Sequence, residues 1–164
     1  MNIKINCDMG ESFGIWSMGN DEEIMPFIDM ANLACGFHAS DALTMSKSVT
    51  LAIKHNVQIG AHPGYQDLVG FGRRKILCSL EEIVAIVLYQ MGALDAFCKT
   101  YEKFISYVKP HGALYNDMMK DENIFKAILS AISSYNRNIK LVILSSSKNE
   151  EYKNIAIHYG ISLI

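Results

Sequence analysis

Long apolar runs are missing from this chain of 164 residues. No stretch approaches the roughly 18 consecutive apolar residues of a membrane-spanning helix, which excludes a helical span. The glycine loops that cradle nucleotide phosphates are missing too: neither G-x-x-x-x-G-K-[ST] nor G-x-G-x-x-G occurs. Any use of ATP therefore points to another polypeptide as its binder. The four cysteines, Cys7, Cys35, Cys78 and Cys98, form no C-x-x-C pair, which removes the usual zinc-ribbon and dithiol signals. There is no long run of one charge sign, and the net charge is −2, so neither nucleic acid nor a membrane surface is expected as a partner. Linkers, low-complexity tracts and repeats are absent, so residues 1–164 read as a single domain. Met1-Asn2-Ile3-Lys4 leads straight into a strand pattern rather than a signal peptide. Scattered cysteines without such a leader fit reduced thiols in the cytoplasm.

What is present is an alternation of strand and helix. Half of the residues are hydrophobic and a fifth are charged, the balance of a soluble domain with a real core. Apolar runs at 4–7, 30–35, 57–61, 105–108 and 140–144 read as strands, and 161–164 as the start of a sixth. Helices are expected over 21–29, from a cap at Ser40 or Asp41 to His55, from the capping box Ser79-Leu80-Glu81-Glu82 to about Tyr101, over 121–135 and over 150–158. Residues 62–78 read as one long loop. Such alternation implies an α/β fold with parallel strands, closed either as an open doubly wound sheet or as a (β/α) barrel.

Four of the strand-like runs end in clusters of acids, histidines and glycine: Cys7-Asp8-Met9-Gly10-Glu11, Cys35-Gly36-Phe37-His38-Ala39-Ser40-Asp41, Gly60-Ala61-His62-Pro63-Gly64-Tyr65 and Lys109-Pro110-His111-Gly112-Ala113. Ionisable groups at the ends of successive parallel strands are where α/β proteins place their sites. Asp8 and Glu11, three apart, could divide acid and base roles; each could equally cap a turn or face solvent. Asp41 could orient His38 or simply cap a helix. His38, His62 and His111 could polarise a substrate, shuttle protons or hold a metal. Lys109, and Arg73 or Arg74 of the Gly70-Phe71-Gly72-Arg73-Arg74 loop, could hold an anion. His55 and His158 fall in helices and read as structural, and Trp16 reads as a lid or packing residue.

Taken in order, these segments resemble the LamB/YcsF family, whose members are also called the A subunit of 5-oxoprolinase. The resemblance rests on Asn6-Cys7-Asp8-Met9-Gly10-Glu11-Ser12-Phe13-Gly14, Asn32-Leu33-Ala34-Cys35-Gly36-Phe37-His38-Ala39, Gly60-Ala61-His62-Pro63-Gly64-Tyr65, Gly70-Phe71-Gly72-Arg73-Arg74 and Lys109-Pro110-His111-Gly112-Ala113-Leu114-Tyr115-Asn116. Met9 stands where the family usually has leucine, Ser40 where it has glycine and Gln66 where proline is common. Family members run to about 250 residues, so the resemblance implies a chain lacking its last strand–helix units.

The resemblance implies a (β/α) barrel of the seven-stranded glycoside hydrolase/deacetylase type, incomplete at the C-terminus. It implies ATP-dependent hydrolytic opening of 5-oxo-L-proline to L-glutamate, with two other subunits as partners and ATP bound by them. On this reading Asp8, Glu11, His38, His62 and His111 are catalytic, with the three histidines as candidate ligands of a divalent metal. Asp41 orients His38, and Arg73, Arg74, Lys109 and Asn116 hold the substrate. Two alternatives stay open: a metal-dependent amide or acetyl hydrolase related to carbohydrate deacetylases, and a non-catalytic assembly role.

Overall fold

In the computed structural model, which describes residues 3–135 and 138–164, five parallel strands form one sheet. The strands are β1 (Asn6–Met9), β2 (Met30–Ala34), β3 (Gln58–His62), β4 (Tyr107–Val108) and β5 (Lys140–Leu141). Their spatial order is their order in sequence, each paired in parallel with the next. A doubly wound sheet reverses its strand order at a switch point. This sheet never does, which is the order of a (β/α) barrel. Leu163 adds a parallel bridge to Leu141 and begins a sixth strand position. Met1 and Asn2, read as the lead-in to the first strand, lie outside the described residues.

The helices are α1 (Asp21–Ile24), α2 (Ala42–Lys54), α3 (Leu80–Lys99), α4 (Gly112–Met118), α5 (Glu122–Ser134) and α6 (Asn149–His158). The Ser79–Glu82 capping box opens α3 as its spacing requires, satisfying two of the amide donors that a helix start leaves free. Asp41, not Ser40, caps α2 by accepting from the amides of Leu43 and Thr44. Ser40 instead takes a positive φ of 74°. The helix expected over 21–29 stops after one turn and continues as a 3₁₀ turn through Pro26, whose ring forbids a helical hydrogen bond. Helix α4 replaces what the sequence pattern left without structure after His111. Among the described residues, no helix is long and apolar enough to cross a membrane.

Side chains alternate along each strand, so the sheet has two unlike faces. One face carries Met9, Ala31, Leu33, Ile59, Ala61, Val108 and Leu141 into a continuous apolar core against the helices. Within that core α3 packs on α5, with Val87, Met91 and Leu94 against the cluster that holds Ile128 and Ile132. The other face carries Asn6, Asp8, Asn32, Gly60, His62 and Tyr107. A polar inner face is unusual for buried strands, and it leads directly to the site.

Candidate functional site

The strands set the site residues at one end of the sheet. Asp8 and His62 lie within β1 and β3 rather than beyond them, because each strand runs one or two residues further than its apolar run. Glu11 and His38 follow the exits of β1 and β2, and His111 immediately precedes α4. The pairing register aligns Asp8 with Asn32 and Asn32 with Gly60, so the exits of three neighbouring strands lie side by side.

Glu11, His38, His62 and His111 each offer one ligand atom, and these atoms lie within 4.8 Å of one another. All three imidazoles are buried. His38 and His111 stack face to face, and His62 meets both edge-on. Glycines make this crowding possible. A side-chain carbon at Gly72, where φ is +61°, would lie 2.6 Å from His38 Cβ and 2.9 Å from His111 Cδ2.

The hydrogen bonds assign the tautomers. His62 Nδ1–H donates to the Lys109 carbonyl at 2.5 Å, and His111 Nε2–H donates to the Phe71 carbonyl at 2.8 Å. The inner nitrogens, His62 Nε2 and His111 Nδ1, then face each other at 3.0 Å. Two lone pairs at that distance repel, so a positive centre belongs between them: a proton on His62 Nε2 or a metal ion. Glu11 Oε1 stands 3.2 Å from His38 Nε2 and 3.6 Å from His111 Nδ1. His38 Nδ1 is buried without a hydrogen-bond partner. Backbone carbonyls that hold the outer imidazole nitrogens are the usual support of metal-ligating histidines. Three imidazoles and a carboxylate form a donor set suited to zinc or a neighbouring first-row divalent ion.

The two carboxylates are held in different states. Asp8 Oδ1 receives Lys109 Nζ at 2.6 Å and Asn32 Nδ2 at 2.7 Å, and faces His62 Nε2 at 3.4 Å. Partial burial raises the proton affinity of Asp8, but the His62 and Lys109 contacts outweigh it and hold the carboxyl far below its usual range. Burial of Glu11 dominates in the other direction and raises it. Burial pushes His38 down to about 3 and lowers His111 as well. Neighbouring carboxyls driven apart in this way can take different proton-transfer roles.

Several expected roles change with the geometry. Asp41 does not orient His38. One of its oxygens caps α2 and the other accepts the Gly14 amide, leaving Glu11 as the carboxylate beside His38. Lys109 pairs with Asp8 instead of standing free for an anion. Arg74 is tied to the buried Asp67 through both its Nε and Nη2. Arg73 stacks over Phe71 and has no ion pair among the described residues; its charge lowers Glu11. Asn116 is exposed on α4. Trp16 is 64 % exposed and packs only against Phe13 across a small bridge. Asn32 and Tyr107 have no role in the sequence reading, yet they are buried against Asp8. The available signal was an amide in the otherwise apolar Met30–Ala34 strand.

The profile of the LamB/YcsF family matches residues 3–163. The chain belongs to the LamB/YcsF family. It is 55 % identical over 162 residues to a Vibrio cholerae protein named as the A subunit of 5-oxoprolinase, covering 99 % of this chain and 65 % of the relative. A Vibrio vulnificus protein of the same name is 58 % identical over the same length and coverage. Among solved structures, the lactam utilization protein of Thermus thermophilus superposes with a TM-score of 0.93 at 43 % identity, covering 100 % of this chain and 65 % of that one. The chain thus spans about 65 % of the length of the relatives it matches. Its LamB/YcsF fold is α/β, with the strand order of a (β/α) barrel.

Proposed function

We propose that this LamB/YcsF chain takes part in the ATP-dependent opening of 5-oxo-L-proline to L-glutamate as one subunit of a 5-oxoprolinase. The carrying observation is the convergence of Asp8, Glu11, His38, His62 and His111 at adjoining strand ends, in a chain whose relatives are named for this reaction and for lactam utilization. Hydrolysis forms a C–O bond from water to the lactam carbon and breaks the C–N bond. Both protons of the water end on the nitrogen.

Asp8, kept ionised by Lys109, accepts a hydrogen bond from the attacking water. Glu11, whose proton affinity is raised, carries a proton towards the leaving nitrogen. The buried imidazoles hold the lactam oxygen and exclude bulk water. Arg73 is the cation suited to the substrate carboxylate, since Arg74 and Lys109 already have partners. A divalent ion would be held by His38, His62, His111 and Glu11, and would polarise the lactam oxygen or a water. ATP belongs to partner subunits, two on the family pattern, because this chain has no phosphate-binding glycine loop.

The test is an assay of the full-length protein with its partner subunits, ATP and 5-oxoproline. Glutamate should appear only when all are present, and Asp8→Asn or His38→Ala should abolish it. Full glutamate production by either variant overturns the assignment. The histidine convergence also favours a second reading, a metal-dependent amide hydrolase that acts alone. ATP-independent turnover that appears on adding zinc or manganese would select it.

A further inference from the structure

Asp8 makes its polar contacts through one oxygen. Lys109 Nζ, Asn32 Nδ2 and His62 Nε2 all approach Oδ1, and among the described residues no hydrogen bond or ion pair reaches Oδ2. Asn32 is fully buried, and its amide is itself held on every side. One Nδ2 hydrogen goes to Asp8 Oδ1 at 2.7 Å and the other to Asn6 Oδ1 at 2.8 Å. Its oxygen accepts from the Tyr107 hydroxyl at 2.8 Å. The amide cannot be reversed, since its oxygen would then face the Asp8 carboxylate.

Tyr107 reaches this amide from two strands away. It sits on β4, opposite Gly60 in the register, while Asn32 is on β2. The ring crosses β3 where Gly60 has no side chain; a carbon there would lie 2.1 Å from Tyr107 Cε2. The hydroxyl is 2.8 Å from Asn32 and the residue is 1 % exposed, so water cannot replace the bond.

We infer that Tyr107 and Asn32 are positioning residues that immobilise Asp8 Oδ1 and thereby present Oδ2 as its reacting oxygen. This rests on the role proposed above for Asp8. Tyr107 locks the orientation of the Asn32 amide, and the amide locks the rotation of the carboxylate. Without the hydroxyl, the amide loses the donor that fixes it and Asp8 can turn. Partners of this kind, which touch a reacting group and not the substrate, typically change activity by about 10–100-fold.

The experiment uses the full-length protein with its partner subunits and compares Tyr107→Phe, Asn32→Ala and the double variant. Each single variant should lower kcat about tenfold or more while KM for 5-oxoproline changes less than about twofold. The double variant should be no worse than Asn32→Ala alone, because Tyr107 acts through Asn32. A kcat for Tyr107→Phe within twofold of wild type, or additive losses, would overturn the inference. A second measurement does not depend on the reaction. In ¹⁵N-labelled protein, Tyr107→Phe should shift the Asn32 side-chain amide resonances and speed their exchange with water. Unchanged resonances would overturn the positioning role even where the wild type opens the lactam. Shifted resonances in a protein inactive on 5-oxoproline would uphold the positioning and count against the proposed reaction.

Discussion

The imidazoles of His38 and His111 lie parallel within 4°, their centroids 3.8 Å apart, although 73 residues separate them in the chain. Gly72 makes that stack possible. Its missing side chain leaves the space that both rings use, and its φ of +61° disfavours any other residue. Gly72→Ala should therefore destabilise the protein by more than the roughly 1–2 kcal/mol of a left-handed alanine. Gly14, with φ +56° and open space around its α-carbon, is the control. Urea denaturation should rank Gly72→Ala well below Gly14→Ala; equal midpoints would show that the stack tolerates displacement.

Metal binding has a readout independent of turnover. Zinc or manganese at 100 times its Kd should stabilise the folded protein by about 2.7 kcal/mol. The thermal midpoint should rise on metal addition and fall back with a chelator. His62→Ala and His111→Ala should remove the rise, because they delete the nitrogens that face each other at 3.0 Å. An equal rise in both variants would place the ion elsewhere.

Asp67 gives a pH prediction away from the histidines. Hydrogen bonding from Arg74, with the Gly70 and Arg74 amides, holds its carboxyl at about 2, against 3.8 ordinarily. The folded value is the lower one, so the stabilisation is complete above about pH 4 and is lost as the pH falls towards 2. Acid titration of stability should be shallower through that window in Asp67→Asn than in the wild type. Parallel curves would mean that Asp67 is not differentially protonated on folding.

The thiols should react in two classes. Burial pushes Cys35 and Cys98 up to about 12, leaving on the order of one thiolate in ten thousand at pH 8. Cys7 and Cys78 are only part-buried. Iodoacetamide should label Cys7 and Cys78 in the native state and reach Cys35 and Cys98 only on unfolding. Mass spectrometry of peptides from briefly labelled protein distinguishes the classes.

Local chemistry was readable wherever a short segment carries its own cause. The Ser79–Glu82 capping box, the apolar run of β2 and the α5 periodicity each act within a few residues, and each element formed close to its expected bounds. Helix α4 was missed because it is short and starts at Gly112, a residue that reads as a breaker. Asp8 and His62 were read just beyond their strands because polar residues ended the apolar pattern, whereas backbone pairing carried the strands through them.

By itself the sequence determined the alternation of strand and helix, the family to which the chain belongs and the acids, imidazoles and cations available to a site. These follow from periodicity, turn chemistry and ordered motifs, all of which act along the chain. Only the tertiary structure decided which of those groups meet. Arg73 and Arg74 are adjacent in sequence, but Asp67 takes one and leaves the other. Asp8 and Glu11 are near-identical as residues, but Lys109, 101 positions from Asp8, separates their protonation. Charge pairing and burial depend on distance through space, and that distance is set by strand register and by glycines that let rings cross.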